Sequence, residues 1–203
     1  MKIFCIGRNY AQHAKELGNA IPDEPIIFAK PPTALLKDGA PFYHPDFSDD
    51  IHHEAEIVVR IAKNGKHIDP KFAHKYYDHL TIGIDFTARD LQSRLKTKGH
   101  PWEIAKGFDG SAPIGQFVAL STLPAVNNIG FTLLKNGQPV QNGNTANLLF
   151  DFDTIISYIS KFFTIQQGDL IFTGTPEGVG RVQIGDVLEG FIGEQKLLHC
   201  EVK

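Results

Sequence analysis

Glycine and proline divide this chain into short segments. The 203 residues include 19 glycines and 12 prolines, slightly more than the usual share of a globular protein. Between them lie short apolar runs rich in β-branched residues, which are typical of buried strands. Only residues 152–163 have the apolar spacing of a well-formed amphipathic helix. The sequence therefore predicts a turn-rich, strand-rich fold rather than a helical bundle.

The predicted elements cover the whole chain without a repeat, a low-complexity tract or a linker, so we expect residues 1–203 to form one mixed α+β domain dominated by strands. Asn136-Gly137 favours a hairpin turn of type I′. Helices are predicted at Asn9–Leu17, Pro70–Leu80, Thr87–Lys98 and Phe152–Phe163. Strands are predicted at Lys2–Gly7, Ile26–Ala29, Ile57–Ala62, Leu80–Phe86, Ile129–Lys135, Gln138–Asn142, Leu170–Phe172, Val187–Phe191 and Lys196–Val202.

Charge and hydropathy exclude several kinds of partner. The 20 basic and 23 acidic side chains give a formal net charge of −3, and no basic cluster offers the electrostatic footprint of a nucleic-acid-binding protein. No segment approaches the roughly 18 consecutive apolar residues of a membrane-spanning helix. Cys5 and Cys200 are too few for a disulfide framework and indicate reduced, buried residues of a cytoplasmic protein. A single disulfide joining them is the alternative.

Two glutamates precede a predicted strand. In His53-Glu54-Ala55-Glu56 the side chains of Glu54 and Glu56 fall on one face, because side chains alternate along a strand. A hard divalent cation would offset this pair of like charges, and Asp85, at the end of another predicted strand, could supply a third oxygen. Three carboxylates without a thiol favour Mg²⁺ or Mn²⁺ over zinc. Alternatively, the glutamates line the wet face of a half-exposed strand.

His13 and Glu16 are three residues apart in a predicted helix and so share one face. A carboxylate beside an imidazole orients the ring, which is the usual arrangement of a general base. The alternative is a surface histidine in an ordinary helical ion pair. None of the other eight histidines has a convincing zinc-ligand spacing.

Glycines are concentrated in Thr173–Gly180, after a predicted strand. Glycine permits close backbone approach to a ligand, and exposed amides there can bind anionic oxygens. The Gly-Lys-Ser/Thr ending of a phosphate loop is absent, and a plain glycine-rich hairpin is the alternative. Lys106 lies in an apolar stretch, where a lysine requires an anionic partner.

Taken in order, these motifs resemble the fumarylacetoacetate hydrolase family, and most of all its short acylpyruvase and oxaloacetate decarboxylase-like branch. The resemblance extends from residue 3 to about residue 190. It implies a strand-rich mixed β-sandwich or β-roll with a few peripheral helices. The segments that carry it are Gly7–Tyr10 with His13 and Glu16, Phe28–Pro31, His53–Glu56, Asp85 with Arg89–Gln92, Gly99–Trp102, Lys106 and Thr173–Gly180.

The resemblance also implies roles for individual residues. Mg²⁺ or Mn²⁺ would be held by Glu54, Glu56 and Asp85. His13 and Glu16 would form a water-activating pair, and Lys106 would neutralise oxyanion charge, so these three are the predicted catalytic residues. The substrate-binding residues would be Arg8, Lys30, Arg89, Gln92 and Thr175.

The implied activity is hydrolysis of the C–C bond of acylpyruvates, such as acetylpyruvate or fumarylpyruvate, to pyruvate and a carboxylic acid. The same metal site could serve an oxaloacetate decarboxylase or tautomerase, or a 2-oxo-dienoate isomerase or hydratase. A non-catalytic metal- or ligand-binding domain is a further alternative, against which the His13–Glu16 pair argues. We expect a small 2-oxo acid as substrate, a homodimer as the assembly and a cytoplasmic location.

Overall fold

The computed structural model describes residues 1–16, 18, 20–123 and 125–203. The predicted end of the first helix at Leu17 lies outside these residues. The α-helices are α1 (Ala11–Glu16), α2 (Pro70–Ala73), α3 (Arg89–Lys98), α4 (Glu103–Lys106) and α5 (Phe152–Phe162). The strands are β1 (Ile3–Gly7), β2 (Ile26–Lys30), β3 (Leu35–Leu36), β4 (Ile51–His53), β5 (Ala55–Ile61), β6 (Tyr77–Ile84), β7 (Thr87–Ala88), β8 (Ala112–Pro113), β9 (Val118–Ala119), β10 (Gly130–Lys135), β11 (Gln138–Asn144), β12 (Leu170–Phe172), β13 (Gly180–Arg181), β14 (Val187–Ile192) and β15 (Gln195–Glu201).

Two sheets face each other across the main core. The larger sheet has the order β2-β1-β12-β5-β6-β9, and the smaller one has the order β11-β10-β14-β15. A Cβ on Gly190 of β14 would come within 2.9 Å of Ile82 in β6, so glycine permits the close approach of the two sheets at this point. Two small sheets, β13-β4-β7 and β3-β8, complete the fold. The strand-rich mixed α+β prediction is confirmed.

Local sequence explains several elements. Asn136 and Gly137 both have positive φ, +53° and +76°, as the predicted type I′ turn between β10 and β11 requires. Helix α5 begins after Asp151, whose side chain accepts a hydrogen bond from the N–H of Thr154 at 2.8 Å. The same helix buries its apolar stripe against the core. None of the helices in the described residues has the length and apolar character needed to cross a membrane.

Two predictions about local structure are wrong. The helix predicted over Pro70–Leu80 ends at Ala73, and β6 begins at Tyr77, because pairing with β5 outweighs the weak helical propensity of this segment. Residues 87–88, predicted as the start of a helix, instead form β7 and pair with β4. The prediction for the cysteines is confirmed, because Cys5 and Cys200 are both free and buried, and the alternative of a disulfide between them is excluded.

Four strand ends meet at one edge of the large sheet. Strands β1 and β12 are parallel and therefore end at the same edge. Strand β5 is antiparallel to β12 and begins there, and β6 is antiparallel to β5 and ends there. The fold thus brings together the residues that follow β1, β6 and β12 and those that open β5.

Candidate metal and substrate site

The three predicted metal ligands lie together at this edge. Glu54 directly precedes β5, Glu56 is its second residue, and Asp85 directly follows β6. One carboxylate oxygen from each lies within 4.8 Å of one from each of the others. All three are buried, which excludes the alternative that the glutamates line a wet face.

Cationic side chains surround these carboxylates. The Lys106 ammonium lies 2.7 Å from Oε2 of Glu54 and 2.7 Å from Oδ2 of Asp85. Its third hydrogen bond goes to Oγ1 of Thr87 at 2.6 Å, so all three of its N–H donors are used. Arg89 forms an ion pair with Glu54. Lys106 therefore acts on the site chiefly as a fixed positive charge.

Glu54 and Glu56 have opposite electrostatic surroundings. Burial favours the neutral form of Glu54, but Lys106 and Arg89 outweigh it and hold the pKa of Glu54 well below its usual range. The pKa of Glu56 is raised well above its usual value by burial and then by the charges of Asp85 and Glu54. The one hydrogen bond that Glu56 accepts within the described chain comes from the N–H of Gly174, at 2.7 Å.

This donor set fits a hard divalent cation. Three buried carboxylates each place one oxygen within 4.8 Å of the others, and carboxylate oxygens are the ligands that Mg²⁺ and Mn²⁺ take. The local cations leave the charge of Glu56 uncompensated, and a bound cation would offset it. Glu54, Glu56 and Asp85 are therefore the residues that could hold the metal.

The glycine-rich segment binds the protein's own carboxylates. Gly174 and Gly178 have φ of +105° and +92°, which glycine adopts without strain. The N–H of Gly174 donates to Glu56, and that of Gly178 donates to Oε1 of Glu16 at 3.1 Å. Both amides thus bind anionic oxygens, which belong to carboxylates of the protein itself. Binding of a ligand by this segment stays a prediction.

His13 and Glu16 form a hydrogen-bonded pair in α1. Nδ1 of His13 lies 3.2 Å from Oε2 of Glu16, and a carboxylate oxygen can only accept, so Nδ1 carries the hydrogen. The other ring nitrogen, Nε2, is then the one that can exchange a proton in the neutral ring. His13 is buried and lines the cavity beside the carboxylates.

Most of the predicted site residues line one cavity. Glu16 does not line it and contacts it only through His13. The cavity residues that the sequence singled out are Arg8, His13, Glu54, Glu56, Asp85, Arg89, Gln92, Lys106 and Thr175. The others are Ile6, Gly7, Phe28, Lys96 and Trp102.

Lys30 lies elsewhere than predicted. Its side chain is completely buried, and its ammonium lies 2.8 Å from Oδ1 of Asp85. It also donates to the carbonyl and hydroxyl oxygens of Ser111 at 3.1 and 3.0 Å, and it contacts the carbonyl of Lys106. Lys30 thus supports Asp85 and does not line the cavity. Because these partners surround its ammonium, the position of Lys30 does not support direct contact with a substrate, and its role in substrate binding stays a prediction.

The sequence analysis missed Lys96. It lies seven residues after Arg89 and four after Gln92 on α3, and all three line the cavity. This spacing places them on one helix face, a signal that would have identified Lys96. Burial, and then the charges of Arg8 and Arg89, lower the pKa of Lys96. Arg8 itself has φ of +58°, a conformation uncommon for any residue but glycine.

Comparison with known proteins gives related enzymes over nearly the whole chain. The mitochondrial oxaloacetate decarboxylase of Dictyostelium discoideum is 46% identical over 189 residues, covering 93% of this chain and 87% of that protein. The mitochondrial oxaloacetate tautomerase of Caenorhabditis elegans is 41% identical over 188 residues, covering 93% of this chain and 88% of that protein.

Solved structures give the same family. The fumarylpyruvate hydrolase of Pseudomonas aeruginosa, solved with Mn²⁺ and pyruvate, superposes with a TM-score of 0.93 at 36% identity, covering 100% of this chain and 89% of that one. The family model for the C-terminal region of fumarylacetoacetate hydrolase matches residues 2–202. On sequence and structure alike, the chain belongs to the fumarylacetoacetate hydrolase family.

Proposed function

We propose that this chain acts on oxaloacetate and related 2-oxo acids by moving a proton at C3, as a tautomerase and a decarboxylase. The observation that carries the proposal is one cavity that combines a carboxylate triad, the fixed positive charge of Lys106 and the oriented base His13. Enolate chemistry at C3 needs these parts and no attacking water. The relatives named for oxaloacetate support this reaction over hydrolysis, the activity that the sequence favoured.

Substrate binding uses the residues around the triad. A Mg²⁺ or Mn²⁺ ion held by Glu54, Glu56 and Asp85 would act as a Lewis acid on the 2-oxo group. Arg89 and Gln92, hydrogen-bonded to each other at 2.7 Å, lie where the substrate carboxylate or oxo group enters. Thr175, three residues after β12, lines the same cavity and offers a hydroxyl to the substrate carboxylate.

Proton transfer falls to His13. In tautomerisation, the proton leaves the oxygen at C2 and another is added at C3. Nε2 of His13 is the nitrogen that can carry the proton at C3, because Nδ1 is bonded to Glu16. Lys106 stabilises the negative charge that develops at the C2 oxygen, in a buried position where such charges act strongly. In decarboxylation, the C3–C4 bond breaks, the C4 carboxylate leaves as CO₂, and its bonding electrons form the enolate of pyruvate. That enolate then takes a proton at C3.

The charge of the cavity suits a dicarboxylate. Four cationic side chains line it against three carboxylates, and Lys30 adds a further positive charge behind Asp85. A divalent cation would raise this positive surplus further. Oxaloacetate brings two carboxylates and therefore matches the surplus better than a monocarboxylate does.

Hydrolysis of acylpyruvates is the second candidate. The His13–Glu16 pair could activate a water as readily as it moves a proton at carbon, and the structure of a fumarylpyruvate hydrolase superposes closely on this chain. In that reaction, water attacks the 4-carbonyl carbon and the C3–C4 bond breaks. Pyruvate enolate is the leaving group, and Lys106 stabilises its negative charge.

One assay separates the candidates. The purified protein with Mg²⁺ is given enol-oxaloacetate, keto-oxaloacetate and acetylpyruvate, and loss of the enol absorbance, CO₂ and pyruvate are measured in parallel. Accelerated loss of the enol, with or without CO₂ release, supports the proposal. Pyruvate from acetylpyruvate without any effect on oxaloacetate would replace it with hydrolysis. No effect on any of the three, with metal bound, would leave the binding-domain alternative.

Three further proposals concern the whole molecule. We expect the chain to unfold as one cooperative domain, supported by a main core that draws on both large sheets. We expect a homodimer, which light scattering of the purified protein would test. The two free, buried cysteines favour a reducing compartment, and cell fractionation would test the cytoplasmic location against the mitochondrial one named for the relatives.

A further inference from the structure

Gln141 is a buried amide that joins the smaller sheet to the candidate site. It lies in β11, and only 1% of its surface is exposed. Its carbonyl oxygen, Oε1, lies 2.9 Å from Nδ1 of His53 and accepts from the N–H of Ala55 at 2.9 Å. Its nitrogen, Nε2, donates to Oγ1 of Thr175 at 2.8 Å and to the carbonyl of Pro176 at 3.1 Å. Both ends of the amide are therefore fully used.

The surroundings fix which end of the amide is which. A backbone N–H such as that of Ala55 can only donate, so the atom facing it must be the oxygen. A backbone carbonyl such as that of Pro176 can only accept, so the atom facing it must be the nitrogen. In the reverse orientation, the amide nitrogen would face the N–H of Ala55, and the amide oxygen would face the carbonyl of Pro176, so neither hydrogen bond could form. The direction of every hydrogen bond at Gln141 is thus determined.

The direction of the hydrogen bond from Gln141 to Thr175 determines whether the Thr175 hydroxyl can donate to a ligand. Its oxygen accepts a hydrogen from Gln141, so the proton of its own hydroxyl is available for another acceptor. Within the described chain, the acceptor recorded for that proton is the carbonyl of Pro176 at a long 3.4 Å, which is weak. Thr175 also lines the cavity. A carboxylate oxygen in the cavity would be a stronger acceptor for this proton, because it is charged.

We propose that Gln141 is a positioning residue that makes the Thr175 hydroxyl a hydrogen-bond donor to the carboxylate of the 2-oxo acid. This inference rests on the proposed function in so far as the ligand is a 2-oxo acid. Gln141 does not line the cavity, so its amide nitrogen acts on the ligand through Thr175, while its oxygen holds the backbone N–H of Ala55 between Glu54 and Glu56. Its effect is on binding of the carboxylate, and the proton transfer at His13 does not depend on it.

The test replaces the amide nitrogen of Gln141, which donates to Thr175, by a carboxylate oxygen, which can only accept. In Gln141→Glu, a carboxylate faces Thr175 and takes the hydroxyl proton that the substrate would otherwise receive. We expect KM for oxaloacetate to rise about 10- to 100-fold, the usual worth of a hydrogen bond to a charged group, with kcat changed far less. Gln138→Glu is the matched control, because it makes the same substitution at an exposed position of the same strand.

A double-mutant cycle separates positioning from a merely structural role. Thr175→Val removes the hydroxyl and should raise KM by a similar factor, whereas Thr175→Ser should restore it. In the Thr175→Val background, Gln141→Glu should add little further. Additive effects, or a loss of kcat with unchanged KM, would overturn the proposal. If Gln141→Glu does not fold, Gln141→Met, which lacks the amide donor, serves in the same cycle.

Binding is also measured without turnover. Trp102 is the one tryptophan of the chain and lines the cavity, so its fluorescence can report pyruvate binding to the Mn²⁺-loaded protein. Weaker pyruvate binding by Gln141→Glu supports the inference even if oxaloacetate is not turned over. The lack of turnover would count against the proposed function alone. Equal pyruvate affinity in wild type and variant, or no binding by wild type, overturns the inference.

Discussion

One carboxylate oxygen of Glu16 accepts a hydrogen bond from the backbone N–H of Gly178, 162 residues further along the chain. Its other oxygen lies 3.2 Å from Nδ1 of His13. The glycine-rich segment therefore holds the carboxylate that orients the imidazole. The orientation of His13, the predicted base, thus depends on α1 and on a segment far away along the chain.

Replacing His13 should remove the base without removing the metal site. We expect His13→Asn to lower kcat about 10²- to 10⁴-fold, the usual contribution of general acid–base catalysis, with Mn²⁺ affinity unchanged. Glu16→Gln should cause a smaller loss, because the ring stays but its tautomer is no longer fixed. Steady-state kinetics and calorimetric Mn²⁺ titration measure the two effects. Undiminished kcat in His13→Asn would refute its role.

Replacing Glu56 should affect metal binding and stability in opposite directions. Glu56→Gln removes a predicted ligand, so Mn²⁺ affinity should fall at least about tenfold, or about 1.4 kcal/mol. At a pH above the raised pKa of Glu56, the metal-free variant should nevertheless have a higher Tm than the metal-free wild type, because a buried, uncompensated charge is gone. Glu194→Gln, exposed in the β14–β15 turn, is the control for both measurements.

The same residue gives a pH dependence with a definite sign. The raised pKa of Glu56 means that the folded, metal-free chain holds the proton of this carboxyl more tightly than the unfolded chain does. In the unfolded chain the carboxyl titrates at about 4.3. The protonated Glu56 carboxyl therefore stabilises the folded state fully at low pH, and this stabilisation is lost as pH rises through the raised pKa. Urea denaturation across pH should show this loss in wild type and not in Glu56→Gln.

Lys106 should be required for stability as well as for activity. Lys106→Met leaves Glu54 and Asp85 facing each other with one cation fewer, and breaking a buried ion pair in this way costs about 3–5 kcal/mol. We expect that loss in urea denaturation of the metal-free protein, and partial recovery on addition of Mn²⁺. Lys98→Met, at an exposed position of α3, should change little. A similar loss in both variants would contradict the assignment.

Lys96 should contribute to selectivity for dicarboxylates. Its charge lies in the cavity with those of Arg8 and Arg89, so Lys96→Gln should raise KM for oxaloacetate more than KM for acetylpyruvate, which has one carboxylate. The difference should shrink at high salt, since exposed charges are screened. Lys98→Gln is the matched control on the same helix, and equal changes for both substrates would exclude this role.

The predicted metal ligands show what a sequence can establish. The alternation of side chains between the two faces of a strand was sufficient to place Glu54 and Glu56 on the same face, because both belong to one short segment. The pairing of Glu16 with His13 was accessible for the same reason. By contrast, Gln141 carries no local signal: its partners His53 and Thr175 are 88 and 34 residues away, and only the packing of the two sheets brings them together.

The errors in secondary structure have a similar origin. Segment 70–80 has helix-forming residues, but β5 needs a partner strand along its length, and Tyr77 pairs with Ile61. Lys30 was assigned to the substrate from its motif, although its burial behind Asp85 follows from packing that the local sequence does not encode.

The parallel pairing of β1 with β12 has a consequence for synthesis of the protein. Strand β1 leaves the ribosome before the other strands of the large sheet, yet one of its two neighbours is formed by residues 170–172. Because domains fold as units during synthesis, the large sheet remains open at its centre until most of the chain has been made. Such non-local pairing slows folding, and chains that stop before β12 would expose the unpaired edges of β1 and β5 to aggregation.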